Sequence, residues 1–112
     1  MKVFPNADVK AQDVEGCPGV TIQWVISENV QAPNFAMRII NLEPGAATEH
    51  HGHAWEHEVY VLEGQGVVRD ADGEANIGPG TCVYVKPHEI HNFENTGSAE
   101  MRFICVIPNP EP

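Results

Sequence analysis

The sequence predicts an all-β domain, a sandwich or barrel of short strands, and three observations predict it. Ten glycines and nine prolines cut the 112 residues into short pieces. No segment sustains the apolar period of a long helix. Several segments instead alternate apolar and polar residues, or run apolar, between turn signals, with no βαβ alternation.

The elements follow in chain order. Residues 1–18 read as irregular, because Pro5, Gly16, Pro18 and Gly19 oppose regular structure. Residues 20–27 read as a half-buried strand: Val20, Ile22, Trp24 and Ile26 face one way, Thr21, Gln23 and Ser27 the other. Residues 35–42 form an apolar run interrupted by Arg38 and Asn41, and Pro44-Gly45 supplies a type II turn. Strands are expected over 48–53 and 57–62. Asp72-Gly73 signals a hairpin between 65–71 and 74–77. Pro79-Gly80 turns the chain into 81–86, and a last strand spans 100–107. The Pro-rich tail 108–112 is expected to be mobile.

Strands 57–62 and 100–107 are apolar on both faces, through Val59 and Val61 against Tyr60 and Leu62, and Met101, Phe103 and Cys105 against Ile104 and Val106. Such strands need a second layer. In so short a chain a partner subunit can supply it, so a homodimer is expected, with 20–27 or 100–107 at the interface. One domain, 1–112 with its core over about 20–107, is the expected organisation.

Charge excludes some partners. Six Lys and Arg stand against 16 Asp and Glu, a net charge of −10. Phosphate backbones repel such a chain, so no nucleic acid is expected. No basic cluster or long apolar run suggests a membrane. The N-terminus lacks the apolar stretch of a signal peptide, so a cytoplasmic location is expected. Cys17, Cys82 and Cys105 are odd in number and irregularly spaced, which fits reduced thiols.

The histidines are His50, His51, His53, His57, His88 and His91, four of them close together and two further on. On a strand His51 and His53 project from the same face. His57 follows across a short bend, and His91 comes after strand 81–86 and a Pro-containing loop. All four can converge if those strands are neighbours. Neutral imidazole is a ligand for Zn, Mn, Fe, Ni and Cu.

At this point the residues carry a resemblance. Gly45-x5-His51-x-His53-x3-His57-x6-Gly64 resembles the first motif of the cupin superfamily, and Gly80-x6-Pro87-x3-His91-x3-Asn95 resembles the second. The resemblance implies a double-stranded β-helix, or jelly-roll barrel, with a metal held by His51, His53, His57 and His91. The first motif usually carries Glu where His57 stands. The spacing to Gly64 and the parity shared with Val59 and Val61 select His57 over Glu58. The chain thus resembles the four-histidine subset of small bacterial cupins. Lys86 and His88 depart from the usual Pro and Gly of the second motif.

Four imidazoles leave the full charge on a divalent ion, with Mn or Fe favoured over Ni or Zn. Such a site attracts an anionic or chelating oxygen ligand. The resemblance implies a small metalloenzyme acting on a small organic molecule: an oxidoreductase of oxygenase type, or an isomerase or lyase using the metal as Lewis acid. A non-catalytic module binding a metabolite or sugar is the alternative.

His50 is expected at the surface, and His88 in the loop or behind the ligands. Glu49 either reaches the pocket or is solvated; Glu56 and Glu58 flank His57 from outside. Arg38 can clamp a carboxylate, although a surface or dimer-contact role is the stronger expectation. Trp55 can shape the pocket mouth. Trp24 is expected in core or interface, and Tyr60 outward. Cys82 and Cys105 are expected as small core hydrophobes. Met37 and Phe103 line a pocket or pack the core.

Overall fold

A computed structural model describes residues 1–109 and is all-β apart from two short 3₁₀ turns. Nine strands form in chain order: β1 Gln12–Asp13, β2 Val20–Ile26, β3 Phe35–Leu42, β4 His57–Glu63, β5 Gly66–Asp70, β6 Gly73–Ile77, β7 Cys82–Val85, β8 Asn92–Asn95 and β9 Met101–Pro108. They make a six-stranded sheet, β1-β2-β3-β9-β4-β7, and a three-stranded sheet, β6-β5-β8. All pairings are antiparallel. From β4 onward the chain moves repeatedly between the sheets, as a jelly roll does. No helix among the described residues is long and apolar enough to cross a membrane.

Strict alternation packs the space between the sheets. β9 buries Met101, Phe103, Cys105 and Ile107, and β4 buries His57, Val59 and Val61. These meet Ala36, Ile40 and Leu42 of β3, and Ile77 and Phe93 of the small sheet. The Phe93 and Phe103 rings, 4.6 Å apart at their centroids, join the two sheets. Fully burying side chains of this size contributes about 1.5–3 kcal/mol each. At Gly64, φ is +90° and a Cβ would stand 2.5 Å from Met101 Cα, so only glycine lets the chain leave β4 this close to β9.

Several expected elements differ. Residues 48–53 form no strand: only isolated bridges occur, Ala47 to Glu94 and His51 to His91. The Thr48 hydroxyl accepts the Phe93 N–H, taking a bond that a strand's backbone carbonyl would take. β8 lies where a loop was expected, and β1 lies in the segment expected to be irregular. The hairpin turn falls on Ala71 and Asp72, because the Asp70 side chain accepts the Asp72 N–H and Asp70 pairs with Gly73. A register shift between Trp24 and Ile26 breaks the alternation of β2, burying Val25 and leaving Ile26 39% exposed. Pro108 belongs to β9 and the Asn109 N–H bonds Asn34 O; the rest of the expected mobile tail, 110–112, lies outside the described residues.

The outer face of the large sheet carries Phe35, Tyr60, Leu62 and Tyr84, all exposed. Cys82 is exposed there too, contrary to the core position expected of it. The pairing explains why. Val85 opposes His57 and Val83 opposes Val59 on the inner face, so Cys82, opposite Tyr60, takes the outer one.

Candidate metal centre

Two differently built pieces of backbone bring the four histidines together. His57 heads β4 and points inward with Val59 and Val61, while Glu58 points out. His51 and His91 form an antiparallel bridge, each N–H donating to the other's carbonyl at 3.1 Å. Gly52 presses this arm onto the loop before β8: a Cβ there would meet His88 O at 3.0 Å and Glu89 O at 3.1 Å. His88 is itself exposed, and its N–H bonds His53 O.

The rings form a closed circuit. Centroid separations are 4.4 Å for His51–His53, 5.4 Å for His53–His57, 5.1 Å for His57–His91 and 6.1 Å for His51–His91. Trp55 stacks on His53 at 4.6 Å, and Phe93 abuts the His91 ring edge-on.

Hydrogen bonds orient two of the rings. His51 Nδ1–H donates to Glu49 O at 2.8 Å and His91 Nδ1–H to Glu89 O at 2.9 Å. A carbonyl only accepts, so in the neutral rings Nε2 carries the lone pair. His51 Nε2 lies 2.6 Å from His53 Nε2, a separation that calls for a proton or a cation between two nitrogens. His57 Nε2 is buried and has no hydrogen-bond partner.

The electrostatics favour the neutral form of three of the rings. Burial lowers the pKa values of His53, His57 and His91. For His57, burial and then the Arg38 cation and the other imidazoles bring the value to about 4. Desolvation disfavours the charged ring, and each neighbouring positive group adds to that. Neutral imidazoles are the form that ligates a metal.

The donor chemistry therefore fits a divalent ion. The side chains do not yet form a finished ligand set, for among the described residues no group of three or more His, Cys, Asp or Glu is arranged to hold an ion as it stands.

Arg38 stands beside these rings and is the residue that reading the sequence undervalued. It lies on the inner face of β3, in register with Trp24 on one side and Cys105 on the other. Its parity with Ala36, Ile40 and Leu42 was the available signal. Its guanidinium carbon lies 5.4 Å from the Trp24 ring centroid, Nη2 donates to Cys105 Sγ at 2.9 Å, and Nε is buried without a partner. The Arg–carboxylate ion pairs among the described residues are made by Arg69 and Arg102.

The remaining candidates sort themselves. His50, Glu49 and Glu58 are exposed; Glu49 serves through its backbone carbonyl. Tyr60 points outward as expected, and Trp24 packs against the core. Phe103 is core, and Met37 pairs with Val106 on the outer face. Asn95 is fully buried, donating to Leu42 O and Ala99 O and accepting from the Gly97 N–H, so its role is to hold loops together.

Comparison with known proteins agrees with this architecture. The family model described as Cupin domain matches residues 38–107. The oxalate-binding protein of Thermotoga maritima is 35% identical over 69 residues, covering 61% of this chain and 57% of that protein. An L-ectoine synthase of Rhodococcus opacus is 30% identical over 78 residues, covering 68% of this chain and 58% of the other. The matches thus span little more than half the length of these relatives. Among solved structures, the polyketide cyclase RemF from Streptomyces resistomycificus superposes with a TM-score of 0.90 at 32% identity, covering 96% of this chain and 79% of that one.

Proposed function

The chain belongs to the cupin domain family, and on that premise we propose that it is a small metalloenzyme holding a divalent ion through His51, His53, His57 and His91. Its substrate is a small organic anion, and its reaction is of oxygenase type or related to it. Mn or Fe is the favoured ion, with Ni or Zn as alternatives. The observation that carries the reading is the convergence of four histidine rings, two of them tied to carbonyls through Nδ1 and one with a buried Nε2 that lacks a partner.

When bound, such an ion supplies Lewis-acid polarisation and, as Mn or Fe, access to one-electron chemistry. The chain's own residues supply the rest. The Glu49 and Glu89 carbonyls hold two rings in the ligating tautomer. Arg38, whose Nε is unpartnered, offers an N–H to an anionic oxygen of the substrate. Trp55, stacked on His53, and Phe93, against His91, put apolar surface beside the cluster and limit water there.

Metal analysis of protein purified without added metal tests the proposal. About one equivalent of Mn or Fe is expected, followed by turnover in a screen of dicarboxylates, keto acids and enediols under air. Protein that holds no divalent ion as purified and takes up none from Mn(II), Fe(II), Ni(II) or Zn(II) salts would sink the metal reading.

A second reading, a binding module, is supported by the relative named an oxalate-binding protein. Tight binding of oxalate by the loaded protein with no turnover across the screen would favour it. A third, isomerase or lyase chemistry with a redox-inert ion, is supported by the L-ectoine synthase relative. Turnover without oxygen uptake would favour that one.

The proposal extends to surroundings and assembly. A cytoplasmic location remains an expectation from the sequence. The exposed Phe35, Tyr60, Leu62 and Tyr84 support a homodimer through the outer face of the large sheet. Light scattering at micromolar concentration should report twice the chain mass, and a monomer would count against it.

A further inference from the structure

The Nδ1 atoms of His51 and His91 are held by backbone carbonyls, and His57 Nδ1 is held differently. His57 heads β4, which is hydrogen-bonded along both edges, to β7 and to β9. Carbonyls engaged in a ladder are already satisfied, so a side chain has to orient this ring. The atom facing His57 Nδ1 is Cys105 Sγ at 3.5 Å, and the same sulfur accepts from Arg38 Nη2 at 2.9 Å. Cys105 is only 4% exposed, so no water competes for it.

A guanidinium has donors and no acceptors, which makes the sulfur an acceptor toward Arg38. A thiol is a weak donor whose lone pairs remain available to a second N–H. The His57 ring has two neutral forms. If Nδ1 accepted from the thiol, Nε2 would carry a proton, and that N–H would be buried with no partner. If Nδ1–H donates to Sγ, the Nε2 lone pair faces the neighbouring imidazoles, ready for a cation.

We propose that Cys105 is a positioning residue, whose sulfur accepts from Arg38 and from His57 Nδ1–H together and so sets His57 in the tautomer that presents its Nε2 lone pair to the cluster. This rests on the reading of His57 as a ligand. It goes beyond that reading in giving a buried thiol and Arg38 a shared task in the site. Arg38 Nη2 is tied to the sulfur, and Arg38 Nε remains free for a ligand.

Nitrogen-15 NMR of the chelated full-length protein at neutral pH reads the tautomer directly. In wild type, His57 should show the Nδ1–H pattern. Cys105→Ser keeps an acceptor and should keep that pattern, with Mn(II) affinity within a few-fold of wild type. Cys105→Ala removes the acceptor and should shift the population toward Nε2–H. Its Mn(II) affinity, measured by calorimetry, should fall by about 10–100-fold, the range typical of groups that orient metal ligands. A purely packing role for Cys105 would leave the tautomer unmoved. The proposal is overturned if wild-type His57 is Nε2–H, or if Cys105→Ala changes neither tautomer nor affinity. Should the Ala variant fail to fold, the wild-type tautomer and its retention in the Ser variant still decide. If wild type takes up no Mn(II), Fe(II), Ni(II) or Zn(II) while His57 is Nδ1–H, the metal reading falls and the role of Cys105 stands.

Discussion

His57 and His51 face the same space from supports of different kind. His57 stands on a strand bonded along both edges and backed by Val59, Val61 and Phe103. His51 stands on an arm bonded to the rest of the fold by isolated bridges, at Ala47 and at His51 itself. The ladder side takes its rigidity from the hydrophobic core, and the arm takes its position from a few hydrogen bonds and the fit of Gly52 against a loop. One ring of the cluster thus rests on a core strand, and the other three stand on the arm or on the loop residue it bridges, so local opening without global unfolding is expected on the arm side.

The largest test of this contrast removes the core beneath the ladder side. Phe103→Ala should cost about 3–5 kcal/mol in urea unfolding, because it deletes a 2% exposed ring packed at a tilt against Phe93. A loss under about 1 kcal/mol would mean that β4 does not depend on this core.

Acid should act next, chiefly through His57. Burial and the neighbouring positive groups bring its folded pKa down to about 4, from an ordinary imidazole value of 6.5. Between those values the unfolded chain binds the proton and the folded one does not, so stability is full above about 6.5 and falls as pH drops toward about 4. The loss in metal-free protein should approach about 3 kcal/mol at about 1.36 kcal/mol per pKa unit, with His53 and His91 acting in the same direction. His57→Gln should flatten most of that slope in melts taken across the window; an unchanged slope would locate the acid sensitivity elsewhere.

Gly52→Val sharpens the comparison from the arm side. The added carbons meet backbone oxygens at 3.0–3.1 Å, so a cost of about 1–3 kcal/mol is expected. Hydrogen exchange should speed up over 47–53 while the amides of β4 keep their protection. Equal loss of protection in both segments would show them to be one cooperative unit.

The smallest stability effect is expected from His91→Ala. It removes one bond, to Glu89 O, worth about 1 kcal/mol, and leaves the core residues in place. Divalent-ion uptake should be lost while the melting transition of the metal-free protein moves by a few degrees. A collapse of stability in both this variant and the chelated wild type would mark any bound ion as structural rather than catalytic.

Particular residues show how much was legible in advance. The strands carrying the core were readable because burial on one face imposes period two, and Val59, Val61, Phe103 and Cys105 obey it. The inward aim of His57 followed from the same parity. The arm was misread as a strand because Thr48 substitutes its hydroxyl for a backbone acceptor, and composition does not reveal which acceptor a donor will choose. Cys82 was misplaced because β7 is short and both of its faces are apolar, and Lys86, which shares the outward parity of Cys82 and Tyr84, was the one polar signal that could have oriented it.

Sequence alone thus determined the all-β class, the Pro44-Gly45 and Pro79-Gly80 turns, and the inward parity of the histidine in β4, since each depends on neighbours within a few residues along the chain. Only the tertiary structure decided that Arg38 faces Cys105, that Cys105 reaches His57, and that Glu49 and Glu89 act through their carbonyls rather than their carboxylates. Those contacts depend on which strands lie side by side and in which register. Pairing of distant segments is set by the packing of the whole core, and no local pattern encodes it.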